Sequence, residues 1–243
     1  MNMMKKMIMA VCAICIFSVV PAMAEGLQIM TEDYPPFNYT ENGQLSGLST
    51  EVVQQLAKKV GNPGEIEEKP WARAYALIQK EDGFILYSMT RTESRENMFK
   101  WVGPVASNKW VFFAKKGSGI SLASLDDAKK VGKIGTYKDD AAEIFLKEQG
   151  FTNLDSVVDD SLNVPKLMAG RVNLWVVGEL QGIYKAKLQG VGDQLEKVMD
   201  VKDTELYIAF SKNTPDDVIV KWQAALDEMK ADGSFDALVK KYM

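Results

Sequence analysis

The sequence predicts an α/β protein whose sheets are mostly parallel, and three observations lead to this fold class. Short apolar segments typical of strands alternate with amphipathic helical segments from residue 27 onwards. Neither an internal repeat nor a low-complexity tract interrupts the pattern, and no Pro/Gly-rich linker divides the chain. Alternation on this scale is typical of parallel strands covered by their crossover helices. Any boundary between domains must therefore be crossed by strands rather than by a flexible tether.

The alternation begins with a strand at LQIMT (27–31), followed by a helix at STEVVQQLAKKVG. Ser49 or Thr50 is the expected N-cap of this helix, and Gly61 is its expected end. Its apolar face comprises Val52, Val53, Leu56 and Val60. A second helix is predicted at WARAYALIQK, a second strand at FILYS and a third strand at KWVFFAK (109–115).

The later elements continue the same pattern. Strands are predicted at KVGKIGT, LDSVV and RVNLWVV, and helices at DDAAEIFLKEQG, SLNVPKLMAG and ELQGIYKAKLQG. In the next helix, NTPDDVIVKWQAALDEMKADG, we expect Thr214 as cap, Pro215 as first helical residue and Asp217 as the partner in a capping box. Its apolar face comprises Ile219, Trp222, Leu226 and Met229. SFDALVKKYM predicts a last short helix.

Residues 1–24 have the features of a secretory signal peptide. A basic start (MNMMKK) precedes an uncharged apolar run (MIMAVCAICIFSVV), and the small-x-small end PAMA predicts cleavage after Ala24. The alternative, a membrane anchor, is disfavoured because a bilayer span needs roughly 18–20 apolar residues. We therefore expect a soluble protein, one or two domains in size, outside the cytoplasmic membrane.

Composition excludes several kinds of chemistry. The chain has no histidine, and both cysteines, Cys12 and Cys15, lie in the predicted signal peptide. A Ser-His-Asp triad, a thiol nucleophile and a zinc site of His or Cys ligands are therefore excluded, and we expect no cofactor and no metal. The net charge of −4 would become −6 on loss of Lys5 and Lys6. An acidic exported protein is not expected to bind nucleic acid or an anionic membrane surface.

Two aromatic segments are candidate ligand contacts. In TEDYPPFNY two prolines stiffen the turn after the first strand, so Tyr34 and Phe37 are held rigidly, facing either a ligand or the core. Core packing is the more common fate of such a phenylalanine. In KPWARA, Trp71 either covers a ligand or packs as a hydrophobic staple, and Arg73 either binds a carboxylate or is solvated.

A third candidate is SMTRTESR, where a strand end delivers Ser88 and Thr90 and a helix then begins. Ligands bind at the carboxyl ends of strands in α/β sheets, and hydroxyls, backbone N–H groups and a guanidinium suit an anionic group. The alternative is a surface helix in which Thr92 is the cap and Arg95 pairs with a neighbouring glutamate, Glu93 or Glu96. The residues alone leave both interpretations open.

A fourth candidate is the strand-to-helix corner IGTYKDDAAE. Tyr137 and Lys138 lie on its loop and could reach a ligand, while Asp139 and Asp140 are expected to cap the helix that follows. No Gly-x-x-x-x-Gly-Lys-Ser/Thr motif occurs, so this corner is not a nucleotide-binding loop.

Taken in order, several segments together resemble the family 3 extracellular solute-binding proteins, the periplasmic receptors of polar amino-acid ABC importers. The segments are the signal peptide, DYPPF, GLSTEVVQQLAKKVG, PWARA, TRTESRENMFKWVGP, GRVNLWVVG and ADGSFDALVKKYM. The resemblance implies a type II periplasmic-binding-protein fold, with two mixed sheets flanked by helices. Lobe 1 would comprise residues 25–110 and 205–243, and lobe 2 residues 111–204. KWVFFAK and ELYIAFSK would be the two hinge-crossing strands.

The resemblance also implies roles for individual residues. The arginine of the Thr-x-x-x-x-Arg pattern, here Arg95, would bind a ligand carboxylate, with Thr90 and Ser88 beside it. Tyr34 matches the aromatic residue of the Tyr-x-Pro-Phe turn, and Trp71 falls near the apolar residue that covers the ligand.

One position departs from the family pattern. Amino-acid-binding members carry an aspartate, which holds the ligand ammonium, where this chain has Gly178. Glu179 is adjacent, but it also suits the first turn of its helix. The lobe 2 loop reads GTYKDD instead of the usual Gly-Thr pair. Because a buried ammonium without a partner is costly, the ligand class stays open.

The leading hypothesis is a monomeric periplasmic binding protein that captures a small carboxylate-bearing solute and delivers it to an ABC permease in the cytoplasmic membrane. Closure would bring the lobe 1 residues against the Tyr137 loop and the Gly178–Glu179 corner. Two alternatives remain. One is a cyclohexadienyl-dehydratase-like enzyme with Glu179 or Asp139 as the acid, which the missing histidine, cysteine and metal set disfavours. The other is a sensory module without a transport role.

Overall fold

A computed structural model describes residues 26–242. The strands are β1 (Gln28–Thr31), β2 (Tyr39–Glu41), β3 (Gln44–Ser46), β4 (Ile66–Glu68), β5 (Phe84–Thr90), β6 (Lys100–Lys115), β7 (Ile134–Tyr137), β8 (Leu154–Val157), β9 (Leu174–Gly178) and β10 (Leu195–Phe210). The helices are α1 (Leu48–Val60), α2 (Trp71–Lys80), α3 (Glu93–Glu96), α4 (Leu125–Lys130), α5 (Ala141–Glu148), α6 (Asn163–Met168), α7 (Glu179–Leu188), α8 (Asp216–Ala231) and α9 (Ser234–Tyr242). A 3₁₀ turn at Asp160–Leu162 precedes α6.

Two long antiparallel strands connect the two halves of the molecule. β6 and β10, of 16 residues each, pair along their length in a sheet of order β4-β1-β5-β10-β6-β9-β7-β8. At one end β10 pairs with β5, which continues into the parallel strands β1 and β4. At the other end β6 pairs with β9, which continues into the parallel strands β7 and β8. The predicted two-lobed α/β fold is confirmed, and its two mixed sheets are continuous through the crossing strands.

Each half of the sheet has an apolar core on both faces. In the first half one face packs against α1, α8 and α9, and the other against α2. In the second half one face packs against α4 and α5, and the other against α6 and α7. These four clusters stabilise each half on its own, because burial of apolar surface is the main stabilising term in folding. The stability of each half therefore does not depend on the residues that face the space between the halves, and these residues can contact a ligand.

The side-chain caps predicted for α1 and α8 are both wrong, and the backbone explains why. Helix α1 begins one turn earlier than expected, after Gly47 at φ 112°, and the carbonyl of Phe37 accepts hydrogen bonds from the N–H groups of Ser49 and Thr50. Because the rigid turn before the helix supplies acceptors for its first N–H groups, no side-chain cap is needed. Helix α8 begins after Pro215, not at it, and the buried Thr214 hydroxyl makes no hydrogen bond in the described part of the chain. Gly61 ends α1 in the left-handed conformation, as predicted.

Within residues 26–242, no helix is both long and apolar enough to cross a bilayer. The predicted signal peptide, residues 1–24, lies outside the described residues.

The packing of α8 yields a stability prediction. Trp222 is 1% exposed and meets Phe210 edge to face at 5.4 Å, whereas Val220 on the same helix is 67% exposed. We expect Trp222→Ala to lower the free energy of unfolding by about 3–5 kcal/mol, because it removes a large side chain from a closed core. Val220→Ala, the matched control, should change it by less than about 0.5 kcal/mol. Urea titration followed by circular dichroism measures both, and similar effects of the two substitutions would contradict this view of the core.

Candidate ligand-binding cleft

The ends of the parallel strands place several of the candidate residues at one cleft. The segments after β1, β4 and β5 face the segments after β7, β8 and β9 across the gap between the halves. A cavity of about 600 Å³ lies between them and is hereafter the acidic cavity. Its lining comprises Glu32, Asp33, Glu68, Lys69, Pro70, Trp71, Ala72, Tyr137, Val158, Asp159, Asp160, Ser161 and Lys185. Carboxyl ends of strands are the usual ligand sites of α/β sheets.

Arg95 is buried at 2% exposure beside this cavity. Its Nη1 donates to the Thr90 carbonyl at 3.3 Å, and its Nη2 donates across the cleft to the Asp139 carbonyl at 3.0 Å. Its guanidinium carbon lies 5.2 Å from the ring centre of Trp71 and 4.8 Å from that of Tyr75. The buried Nε has no acceptor among residues 26–242. Arg95 is therefore fixed in one orientation and retains donor capacity for an anionic group.

Arg91 makes the surface ion pair that was considered for Arg95. It is exposed, and its Nε and Nη2 donate to the two carboxylate oxygens of Glu96 at 2.7 and 2.5 Å. The alternative that Arg95 pairs with Glu93 or Glu96 at the surface is therefore wrong. Thr92 does occupy the cap position of α3, although its hydroxyl bonds the Ser94 hydroxyl rather than a backbone N–H.

Ser88 lies at an irregularity of β5. Its neighbours Tyr87 and Met89 pair with the consecutive residues Ile208 and Tyr207 of β10, so Ser88 is the extra residue of a bulge. Its φ of 59° is unusual for a residue with a side chain, and its buried hydroxyl lacks a partner in the described chain. Bulges and strained backbone are frequent at binding sites, where they redirect a side chain. Thr90, also buried, holds Arg95 through its carbonyl.

Tyr34 and Asn108 crowd Gly178, the position at which the resemblance implies an aspartate. The Tyr34 hydroxyl accepts a hydrogen bond from the Asn108 amide at 2.9 Å. A Cβ on Gly178 would lie 2.7 Å from that hydroxyl and 3.0 Å from Asn108 Oδ1. Gly178 therefore differs from an aspartate in the space available for a side chain as well as in charge. Phe37 is fully buried in the core, in agreement with its more common fate, and stacks on Tyr34.

Tyr137 of the second half packs against the apolar cluster that contains Trp71 of the first half. Like Glu32, Tyr137 lines the acidic cavity. Burial, with repulsion from Asp140, holds the pKa of Glu32 well above its ordinary value, although Tyr137 opposes this shift. The Trp71 ring stacks on Tyr75 at 4.9 Å, while its buried Nε1 has no acceptor among the described residues.

Asp160 and Lys185 complete the cavity from the second half of the molecule. Asp160 Oδ1 accepts hydrogen bonds from Asn163 and from the Trp175 indole, both at 3.0 Å, while the buried Oδ2 is unpaired within residues 26–242. Burial raises the pKa of Asp160 to about 6, although Lys185 opposes this shift. Lys185 is itself buried and forms an ion pair with Asp33 of the other half at 3.2 Å. Burial disfavours its charge, but Asp160 and Asp33 together raise its pKa.

The remaining predicted site residues lie apart from the acidic cavity. Arg73 is exposed on α2 and is not part of the cavity lining. Glu179 pairs with Lys197 at 2.8 Å and lines a separate space of about 290 Å³. Asp140 caps α5 as predicted, and Asp139 adopts a left-handed φ of 62° that presents its carbonyl to Arg95.

Sequence reasoning missed the charged residues Glu32, Asp160 and Lys185, and it missed Asn108. The two acids could have been found, because each follows a predicted strand closely and so falls at a carboxyl end. Lys185 and Asn108 carried no such signal: one lies within a helix and the other within a long strand.

The crowding at Gly178 is testable. We expect Gly178→Asp to lower the free energy of unfolding by about 1–3 kcal/mol, because its side chain must displace Tyr34 and Asn108. Adding Tyr34→Phe removes the nearest atom and should restore part of the loss. Gly64→Asp, where a Cβ meets nothing within 4 Å, is the control. Urea unfolding of the four proteins measures the differences, and wild-type stability of Gly178→Asp would show that the position is open.

Comparison with known proteins identifies the family. Residues 27–243 match the model of the bacterial extracellular solute-binding proteins, family 3. The arginine-binding extracellular protein ArtP of Bacillus subtilis is 26% identical over 216 residues, which cover 86% of this chain and 82% of ArtP. An ancestral arginine-binding protein, solved with arginine, has a TM-score of 0.79 at 26% identity, covering 91% of this chain and 99% of that one. A histidine kinase sensor domain similar to periplasmic binding proteins has a TM-score of 0.80 at 19% identity, covering 90% and 97%, which is a likeness of fold. The chain belongs to the family 3 bacterial extracellular solute-binding proteins.

Proposed function

We propose that this solute-binding protein captures a small carboxylate-bearing solute between its two lobes and delivers it to an ABC importer. The observation that carries the proposal is Arg95, a buried guanidinium whose Nε still has a hydrogen bond to give. A planar fork of donors matches the two oxygens of a carboxylate better than any other side chain does.

Arg95 is organised in advance for such a contact. The Thr90 carbonyl and the rings of Trp71 and Tyr75 fix its orientation, so little side-chain entropy remains to be lost on binding. The carbonyl oxygen of Asp139 already accepts a hydrogen bond from Nη2 of Arg95. It marks the position that a ligand oxygen would take. A carboxylate would compete with that carbonyl and would also reach Nε.

Contacts across the cleft suggest how binding is coupled to closure. We assign residues 25–110 and 205–243 to lobe 1 and residues 111–204 to lobe 2, with β6 and β10 as the hinge. Arg95 with Asp139, and Lys185 with Asp33, then join the lobes. A ligand that bridges the lobes would favour the closed form, which the permease would recognise. The proposal includes export through the predicted signal peptide, a periplasmic location and a monomeric protein.

The enzyme alternative has less support from the cleft. Glu179, one of its two candidate acids, is paired with Lys197, and neither Glu179 nor Asp139 lines the acidic cavity. ArtP of Bacillus subtilis and the ancestral arginine-binding protein are named as binding proteins. A sensory role without transport stays a prediction, and it can be distinguished by uptake assays in a strain that lacks the gene.

The anchor role of Arg95 gives the main prediction. For the carboxylate that binds wild type most tightly, found by thermal shift, we expect Arg95→Lys to weaken binding roughly 10- to 100-fold. The lysine retains the charge but loses the bidentate fork. Isothermal titration calorimetry gives both dissociation constants.

Arg91→Lys is the matched control, since it makes the same change four residues away on an exposed side chain. Its dissociation constant should stay within about twofold of wild type. Equal affinities of Arg95→Lys and wild type would remove Arg95 as the anchor. Circular dichroism of both variants ensures that a loss of binding is not a loss of fold.

A further inference from the structure

Glu143 is a buried carboxylate that the proposed function does not use. It lies in the first turn of α5, and its side chain is 0% exposed. Its Oε1 accepts a hydrogen bond from the Thr136 hydroxyl at 3.0 Å, and its Oε2 accepts one from the Asp139 N–H at 2.9 Å. Lys147, one turn further along α5, forms an ion pair with it at 2.9 Å. Because a buried carboxylate is costly unless its oxygens are paired, these contacts hold Glu143 against the loop between β7 and α5.

Asp139 has a backbone conformation that needs such support. Its φ of 62° lies in the left-handed region, which is unfavourable for a residue that has a Cβ. The N–H groups of Lys138 and Asp140 on either side are bound by backbone carbonyls, whereas the N–H of Asp139 is bound by the Glu143 side chain. Strained backbone persists only where its surroundings impose it. Glu143 therefore helps to fix the conformation of Asp139.

The carbonyl of Asp139 lies on the other side of the same Cα and reaches across the cleft. It accepts a hydrogen bond at 3.0 Å from Nη2 of Arg95, the buried guanidinium of the first half. A hydrogen bond from a guanidinium is stronger than one between neutral groups. The carbonyl oxygen thus gives Arg95 the kind of contact that a carboxylate oxygen would give.

We propose that Glu143 is a positioning residue, which holds the Asp139 carbonyl on Arg95 as a built-in substitute for a ligand oxygen. The inference rests on the proposed function, because it takes Arg95 as the carboxylate anchor. The substitute contact joins the two halves before a ligand arrives, so it favours a closed, unliganded form in which Nη2 is already occupied. A ligand must displace the carbonyl from Nη2, so the contact lowers the affinity that Arg95 would otherwise give.

Removing the carboxylate of Glu143 tests the inference. Glu143→Ala leaves the Asp139 N–H without its acceptor, so the carbonyl should leave Arg95 more easily. For the carboxylate that binds wild type most tightly, calorimetry should show that Glu143→Ala binds it roughly three- to thirtyfold more tightly. A residue that only stabilised the fold would not act in this direction, because its loss would weaken binding or leave it unchanged.

Glu143→Gln is the conservative variant. Its amide oxygen can accept from the Asp139 N–H, and its amide NH₂ group can donate to the Thr136 hydroxyl, so it should restore the wild-type affinity. Glu143→Leu fills the same space without an acceptor and should bind more tightly, as Glu143→Ala does. It decides the test if circular dichroism shows that Glu143→Ala does not fold. The control is Glu148→Ala, the same substitution at an exposed position of α5, which should leave the affinity unchanged.

Small-angle X-ray scattering gives a second measurement, which starts from the unliganded protein. Glu143→Ala should have a larger radius of gyration than wild type, because one of the contacts that join the halves is weakened. Saturation of both proteins with the carboxylate should remove the difference. Glu148→Ala should match wild type in both states.

The outcomes separate this inference from the proposed function. If Glu143→Ala and Glu143→Leu bind no more tightly than wild type, while Arg95→Lys still loses affinity, the substitute contact is wrong and the anchor role of Arg95 stands. Equal radii of gyration for unliganded Glu143→Ala and wild type would also overturn the substitute contact. If Arg95→Lys binds as tightly as wild type, or if no carboxylate binds, both proposals fail.

Discussion

The cleft depends on one buried guanidinium. Removing a charge from water is costly, and Arg95 offsets this cost with the Thr90 carbonyl, the Asp139 carbonyl and the rings of two aromatic residues. Three of these partners lie in the first half of the molecule and one in the second. The environment of Arg95 therefore depends on how the two halves are placed. An anion that competed for the N–H groups of Arg95 would change that environment and the contact between the halves.

The topology explains why so many polar groups meet at this point. Strands β1, β4 and β5 end at one wall of the cleft and β7, β8 and β9 at the other, because β6 and β10 turn the sheet into two halves that face each other. Beyond each strand end, backbone N–H groups and polar side chains have no hydrogen-bond partner in the sheet. The strained backbone at Ser88 and Asp139 lies at these same ends, where the rigid cores on either side can hold it.

The sequence predicted local features better than contacts across the cleft. The alternation of strands and helices and Gly61 as the end of α1 both follow from patterns within a few residues. The residues alone left Arg95 between a ligand contact and a surface ion pair, and the resemblance to the family favoured the ligand contact. The ion pair of Lys185 with Asp33 joins residues 152 apart in the chain, and no local pattern indicates it. The cap of α1 was missed for a similar reason, because its acceptors come from the folded turn at Phe37 rather than from the helix sequence.

Gly178 and Asp160 show how the ends of two strands differ in the space that they leave. A side chain at position 178 would collide with Tyr34 and Asn108, so an acidic side chain there would have to displace both. Two strands further along the sheet, the segment after β8 supplies Asp160, with one oxygen held by Asn163 and Trp175 and the other without a donor among residues 26–242. Because a buried oxygen without a donor is costly, the end of β8 carries an unpaired acceptor, whereas the space at the end of β9 is already filled.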